Sequence, residues 1–261
     1  MDSYRNSLVV TLSVWKALLL REALARLFSG RASWFWLIAE PILHMAMFGY
    51  IYAGIRQRTI GGIDTLIWLV LGLQGFFLFR RTASQMAGAI DSNRALFSYR
   101  QVKPTDTVLM RGVLEGLLMA MVITIVGAGM ALLGHNVTPA DPMRVLAAFF
   151  GLWFLGVSLG LLISVLSELA QEFRQIINMA MMPLYFISGV MFPLASIPEP
   201  YREWLLLNPI AHGLEEARSG FAPYYHAAPG VSISYIYEFA FISIFIGLLL
   251  HRRFALRMVT R

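Results

Sequence analysis

Residues 145–166 read VLAAFFGLWFLGVSLGLLISVL, a stretch without a single charged residue. The hydrocarbon core of a bilayer is about 30 Å thick and a helix rises about 1.5 Å per residue, so about 20 apolar residues cross it. Five further stretches reach or approach this length: residues 34–55, 63–79, 112–134, 175–195 and 233–250. The sequence therefore predicts an all-α integral membrane protein with six transmembrane helices.

The composition agrees with a membrane protein and excludes several kinds of chemistry. Hydrophobic residues make up 58% of the chain and charged residues 14%, against about 45–50% and about 25% in soluble domains. The absence of Cys excludes disulfides, thiolate nucleophiles and Cys-ligated metals. Neither Lys16 nor Lys103 follows a glycine, so the phosphate-binding loop G-x-x-x-x-G-K-[ST] is absent.

Positive charge indicates the orientation of the helices. With a cytoplasmic N-terminus, the inner segments hold 16 of the 21 Lys and Arg residues and the outer segments hold five. This bias predicts that both termini are cytoplasmic, and it explains the net charge of +6 without a nucleic-acid partner. Arg80 and Arg81 directly follow the second crossing, and we interpret them as interfacial charges or as residues lining a transport path.

The N-terminal part of the chain is expected to lie on the cytoplasmic surface. Residues 8–28 read as one interfacial helix, with Lys16, Glu22 and Arg26 on one side. The chain then divides into three regions: a cytoplasmic segment at residues 1–33, a transmembrane domain at 34–251 and a basic cytoplasmic tail at 252–261.

The outer segment at residues 196–232 is half apolar but is a poor crossing. A seventh crossing would carry Glu215 and Arg218 through lipid and would place the basic C-terminus outside. We therefore predict a re-entrant hairpin before the last helix, made of two short helices broken at Asn208-Pro209. A hairpin of this kind at the outer face suggests a gate or an exit.

Two patterns resemble enzyme motifs and have simpler interpretations. Residues 156–160 match G-x-S-x-G, but inside an apolar run the small residues favour close helix packing over a serine nucleophile. His212, Glu215 and Glu216 could be metal ligands, but no second histidine stands near them, and a polar helix face is the favoured interpretation. No catalytic residue and no metal site is predicted.

The inner segment at residues 91–103, DSNRALFSYRQVK, predicts a short helix with one apolar face. That face would carry Leu96, Phe97 and Tyr99, which a solvated loop would not expose together. The helix could lie on lipid or dock into a groove of a soluble partner, and composition alone leaves both open.

Two pairs of runs resemble the capsular polysaccharide export permeases of the type-2 ABC exporter family, the KpsM, BexB and CtrC group. The first pair is SNRALFSYRQVKPTDT at residues 92–107 with GVLEGLL at 112–118. The second pair is FISGVMFPLASIP at residues 186–198 with LNPIAHGLEEARSGF at 207–221. The similarity extends over roughly residues 10–255.

The resemblance implies a homodimer in the bacterial inner membrane that exports a lipid-linked acidic polysaccharide. Two separate ATPase subunits would bind ATP and Mg²⁺, so no cofactor is expected in this chain, and a periplasmic adaptor and an outer-membrane channel are implied as further partners. The implied ATPase-coupling residues are Arg94, Leu96, Phe97, Tyr99 and Arg100. The implied outer-gate residues follow the signature N-P-x-x-H-x-x-E-x-x-R and are Asn208, Pro209, His212, Glu215 and Arg218.

Three alternatives remain open from the sequence. The polysaccharide could be another polymer, such as O-antigen or teichoic acid. A secondary transporter would show internal repeats and charges at the membrane midplane, and a membrane enzyme would need a convergent catalytic set. The last two would act without an ATPase, so an ATPase that co-purifies with the chain distinguishes them from an ABC permease.

Overall fold

Helices dominate the computed structural model, which describes residues 7–28, 33–54, 59–99, 101–170 and 172–260. The α-helices in these ranges are α1 Ser7–Phe28, α2 Ser33–Gly54, α3 Thr65–Ala87, α4 Ala89–Ser92, α5 Pro104–Leu132, α6 Pro142–Leu169, α7 Glu172–Ile187, α8 Tyr201–Leu205, α9 Pro209–Phe221 and α10 Ile233–Thr260. The strands β1 Thr59–Ile60 and β2 Ile63–Asp64 pair antiparallel between α2 and α3. Two short 3₁₀ turns occupy Arg94–Ser98 and Leu194–Ser196.

Within the described residues, four helices are long and apolar enough to cross a membrane: α3, α5, α6 and the Ile233–Val259 part of α10. They coincide with the second, third, fourth and sixth predicted crossings. Helix α2 covers the first, but its apolar part, Ile38–Ile51, is shorter. Helix α7 has 16 residues and is therefore about 24 Å long. The chain is a multi-pass membrane protein, and the count of six crossings remains a prediction.

Helices α3 and α6 form the centre of the bundle and pack closely. A Cβ atom on Gly156 would lie 2.9 Å from the carbonyl oxygen of Phe79, and one on Gly160 would lie 2.8 Å from the Cβ of Met86. The hydroxyl of Ser158 donates to a carbonyl oxygen of its own helix and is fully buried. The G-x-S-x-G pattern therefore serves close helix packing.

Helix α7 ends earlier than the sequence predicts. The fifth crossing was expected over residues 175–195, but the helix ends at Ile187. Gly189 follows with a φ of 72°, a left-handed conformation that commonly terminates helices. The guanidinium of Arg218 donates to the carbonyl oxygens of Gly189 at 2.8 Å and Val190 at 3.1 Å. A distant arginine thus provides the hydrogen bonds that a longer helix would have made.

The polar side of α1 faces the protein more than its expected interfacial position implies. Glu22 is buried and Arg26 is half-buried, whereas Lys16 is exposed. Both inward-facing side chains form ion pairs with α5, through Arg111 and Glu115. Contacts within the chain therefore position α1 along the first turns of α5.

Candidate functional site

The segment between α3 and α5 is more compact than the single helix predicted over residues 91–103. One turn of α-helix, Ala89–Ser92, is followed by Asn93 and the 3₁₀ turn Arg94–Ser98. The side-chain amide of Asn93 donates to the carbonyl oxygen of Ala89 at 2.8 Å. This side-chain bond competes with continuation of the helix and explains the break. We call residues 89–99 the coupling segment.

The apolar side chains of the coupling segment are divided between the interior and the surface. Phe97 is 8% exposed and packs in a core cluster with Met86, Val108 and Met258. Tyr99 is 65% exposed. Phe97 was expected on an exposed apolar face, but it is buried, because the tight turn directs its ring toward α5, α6 and α10. The expected coupling residue Arg100 lies outside the described residues.

Arg94 connects the coupling segment to the end of α6. Its guanidinium donates to Asp91 at 2.8 Å and to Glu168 at 2.7 Å. The hydrogen bond to Asp91, together with the nearby carboxylate of Glu168, raises the pKa of Arg94 above its usual value. The guanidinium of Arg94 is therefore partly engaged by carboxylates of its own chain. Leu96, two residues later, is half-buried.

Arg80 and Arg81 lie at the same end of the bundle and bind carboxylates of other helices. Arg80 contacts one oxygen of Glu40 at 2.8 Å, and Arg81 contacts the other at 3.0 Å. Arg81 also lies 3.9 Å from Glu115, which pairs with Arg26 at 3.1 Å. The pairs join α1, α2, α3 and α5 in one charged layer.

A polar cavity of about 450 Å³ opens beside these charges, and α1, α2, α3 and α7 line it. We call it the basic cavity. Its walls include Arg26, Glu40, Arg80, Arg81, Ser84, Gln85 and Asn178. The side chains of Ser84, Gln85 and Asn178 make no hydrogen bond to any described residue. Guanidinium groups and free amides are the donors that bind carboxylate and phosphate oxygens, so the cavity can accept an anionic group.

Glu115 is the member of this layer that the sequence reasoning missed. It is 1% exposed and lies in the third predicted crossing, residues 112–134. An ionisable residue inside an apolar run is itself a signal of function or of a charged partner. That signal identifies the residue but not its partners Arg26 and Arg81, which are far away in sequence.

The outer signature residues Glu215 and Arg218 are fully buried, not arranged on a solvated face. Their side chains pair at 3.2 Å, and the guanidinium carbon of Arg218 lies 3.6 Å from the ring centre of Trp68. The hydroxyl of Tyr225 lies 2.9 and 3.0 Å from the two carboxylate oxygens of Glu215. Burial, and secondarily the charge of Glu215, raise the pKa of Tyr225. We call these four residues the outer polar cluster.

Both ring nitrogens of His212 are engaged by the backbone. Nδ1 accepts a hydrogen bond from the N–H of Ser232 at 3.0 Å, so Nε2 carries the proton that is donated to the carbonyl oxygen of Leu206 at 2.7 Å. Glu216 binds Arg144 of α6 instead of turning toward His212. The three candidate metal ligands of this helix are therefore each used in structural contacts.

The Asn208-Pro209 pair begins α9, and α8 ends at Leu205 on its other side. The side-chain oxygen of Asn208 accepts a hydrogen bond from the N–H of Ile210, as expected for a residue that caps a helix. Its amide donates to the hydroxyl of Ser188 at 2.8 Å. Asn208 thus joins the start of α9 to the end of α7.

Comparison with known proteins identifies the family of this chain. The profile of the ABC-2 type transporter family matches residues 13–222. The chain belongs to the ABC-2 type transporter family. The match extends from α1 to α9, so the coupling segment of this ABC-2 type transporter and three residues of the outer polar cluster, Trp68, Glu215 and Arg218, lie within the family domain.

Curated relatives of this ABC-2 type transporter have similar length. The polysialic acid transport protein KpsM of Escherichia coli is 35% identical over 237 residues, which cover 91% of this chain and 92% of that protein. The capsule polysaccharide export inner-membrane protein CtrC of Neisseria meningitidis serogroup B is 28% identical, with 84% of this chain and 83% of that protein covered. The corresponding BexB of Haemophilus influenzae is 26% identical with the same coverage. The resemblance to capsular polysaccharide export permeases is confirmed.

Proposed function

We propose that this protein is the transmembrane permease subunit of an ABC exporter that moves a lipid-linked acidic capsular polysaccharide across the bacterial inner membrane. The observation that carries the proposal is the 35% identity to a polysialic acid transport protein over 91% of the chain. The alignment covers more than 90% of both proteins, so the similarity is not confined to a single motif.

The energy would come from a separate ATPase subunit that binds ATP and Mg²⁺. In support, the sequence lacks the phosphate-binding loop that an ATPase of this class uses. The coupling segment would dock onto one ATPase subunit in each half of the exporter. Tyr99 is its exposed aromatic residue and Leu96 is half-buried beside it, which makes Tyr99 the stronger candidate for an anchor. Arg94 would hold the segment against α6.

The permease would act as a homodimer with six crossings per subunit and both termini in the cytoplasm. Helix α7 offers a surface for the second copy, since Met181 is its only buried residue among those described. Its exposed side chains include Ile176, Met179, Met182 and Phe186. The orientation rests on the distribution of 16 inner and five outer Lys and Arg residues.

The polysaccharide would enter near the basic cavity and leave near the outer hairpin. Three arginines and Glu40 line the cavity, and Glu115 pairs with Arg26 beside it. These five charges leave one positive charge in excess for an acidic sugar or a lipid phosphate. Helices α8 and α9 would dip into the membrane from the outer side and close the exit. A periplasmic adaptor and an outer-membrane channel would continue the route.

The proposal is tested with the dimer reconstituted in liposomes together with its ATPase and a lipid-linked acidic polysaccharide. We expect ATP-dependent transfer of the polymer, and we expect Arg80→Gln and Arg81→Gln to reduce transfer. Arg257→Gln is the matched control, because Arg257 is exposed on the C-terminal part of α10. Transfer driven by an ion gradient without ATPase would overturn the proposal. Equal transfer of neutral and acidic polymers would remove the role assigned to the arginines.

A further inference from the structure

A ladder of four charges joins α1 to α5. Glu22 and Arg26 are four residues apart on α1, and Arg111 and Glu115 have the same spacing with reversed signs on α5. Glu22 lies 2.7 Å from Arg111, and Arg26 lies 3.1 Å from Glu115. Residues four apart share a helix face, so the two pairs fix one register between the helices.

The ladder is largely removed from water. Glu22 is 8% exposed and Glu115 is 1% exposed. Arg111 places both Nε and Nη2 against the carboxylate of Glu22, at 3.1 and 2.7 Å. A bidentate ion pair of this kind in a poorly solvated position fixes the relative position of two helices more firmly than an exposed ion pair does. Leu19 and Ala23 of α1 pack beside the ladder against an apolar cluster of α5.

Glu22 also connects α1 to the coupling segment. The amide nitrogen of Asn93 donates to Glu22 at 2.7 Å, and the amide oxygen accepts from Arg21 at 2.7 Å. Arg111 donates to the hydroxyl of Ser92 at 2.9 Å. One carboxylate is therefore the point at which α1, α5 and the coupling segment meet.

The other end of the ladder reaches the basic cavity. Arg26 lines that cavity and pairs with Glu115. Arg81 on the same cavity wall is 3.9 Å from Glu115. A displacement of α1 along its axis would therefore move a charged wall of the cavity as well as the carboxylate that holds the coupling segment.

We propose that Glu22 is a positioning residue that makes α1 move together with the coupling segment, so that ATPase motion reaches the basic cavity through α1. The inference rests on the proposed function, because it assigns a second route by which motion of the ATPase reaches the membrane helices. Helices α3 and α5, which flank the coupling segment in the chain, form the first route. Asn93 is the link between the segment and α1, and Arg111 and Glu115 hold α1 in register.

The test uses the full permease dimer with its ATPase in liposomes and measures polymer exported per ATP hydrolysed. Asn93→Ala removes the bonds of the segment to Arg21 and Glu22, together with the local bond to Ala89, and leaves the ladder in place. Glu22→Gln keeps the bond between Asn93 and Ala89 and weakens the link and the ladder together. A hydrogen bond to a charged group shifts an equilibrium by about tenfold or more, so we expect a loss of about tenfold in export per ATP. Asn93 is 1% exposed and Glu22 is 8% exposed, so neither side chain belongs to the surface that would dock onto the ATPase. Basal hydrolysis and the amount of bound ATPase should therefore stay within about twofold of wild type, well below that tenfold effect.

A charge exchange provides the second measurement. Glu22→Arg and Arg111→Glu should each uncouple export from hydrolysis. The two together should restore it in part, because the pair is re-formed with opposite signs and the amide oxygen of Asn93 can accept a hydrogen bond from the introduced guanidinium. Lys16→Gln is the matched control, since Lys16 is an exposed charge on the same helix. It should export like wild type.

The inference is overturned by wild-type export per ATP in both Asn93→Ala and Glu22→Gln. Loss of the folded dimer or of bound ATPase in Asn93→Ala also overturns it, because the residue would then serve assembly and not transmission. Failure of the wild type and of Lys16→Gln to export with ATP would instead contradict the proposed function. The two kinds of failure are therefore distinguishable.

Discussion

Replacement of Arg218 by Met tests whether the outer polar cluster stabilises the fold. The substitution keeps an unbranched side chain of comparable length but removes the cation beside Glu215, which is itself fully buried. It also removes the donors that bind the carbonyl oxygens of Gly189 and Val190. The carboxylate of Glu215 and the two carbonyl oxygens therefore lose the guanidinium partner at once.

The size of the effect follows from these contacts. Breaking a buried ion pair by removing one partner costs about 3–5 kcal/mol, and each buried acceptor left unpaired costs about 1–3 kcal/mol. These terms overlap, so we expect a loss of at least about 4 kcal/mol, a large part of a typical stability of about 5–15 kcal/mol. In a chain of this size about 1 kcal/mol corresponds to about 2–4 °C, so Tm should fall by about 8–16 °C.

The assay is thermal unfolding of the purified permease in detergent, followed by the fraction that remains monodisperse. Tyr225→Phe is an informative companion, because it removes one hydroxyl from Glu215 and leaves the arginine in place. It should lower Tm by about 2–4 °C, the effect of one hydrogen bond worth about 1 kcal/mol. Arg257→Met, an exposed change on α10, is the control. A Tm for Arg218→Met within about 2 °C of the control, less than about 1 kcal/mol, would refute the reasoning.

Single cysteines introduced at Ser98 and Ser196 of this Cys-free chain should react with an impermeant maleimide from opposite sides of the membrane, and reaction from one side would refute the orientation. Tyr99→Ala should weaken ATPase binding by about 2 kcal/mol or more, as truncation of an interface anchor does, with an unchanged Tm in the permease without its ATPase. Phe97→Ala should instead lower Tm, because loss of a buried Phe costs about 3–5 kcal/mol; the reverse pattern would assign Phe97 to the interface. Gly156→Ala should lower Tm by about 2–12 °C through overpacking worth about 1–3 kcal/mol, and a neutral result would contradict the contact between α3 and α6.

The outer residues show how the structure changes an expectation taken from sequence. The pattern that places His212, Glu215 and Arg218 on one helix face predicts an exposed polar surface at an exit. In the structure all three are buried. Loss of export after their substitution would therefore combine a local effect on the exit with a general loss of stability. The Tm measurement separates the two.

The sequence by itself determined that this is a helical membrane protein and where its long apolar helices lie. Length and apolarity suffice for that, because each spanning helix satisfies its own backbone hydrogen bonds within one continuous segment. The sequence also determined the family, through runs such as residues 92–107 and 207–221. Both properties depend on residues that are near one another along the chain.

The tertiary structure alone decided which charges pair and which aromatic residues are buried. Glu22 and Arg111 are 89 residues apart, and Glu40 and Arg80 are 40 apart. Nothing local distinguishes these partners from other charges at the same end of the bundle. The tight turn after Asn93 likewise directs one aromatic ring inward and leaves the next exposed. Pairing and burial depend on how separate helices pack, and helical periodicity within one segment does not contain that information.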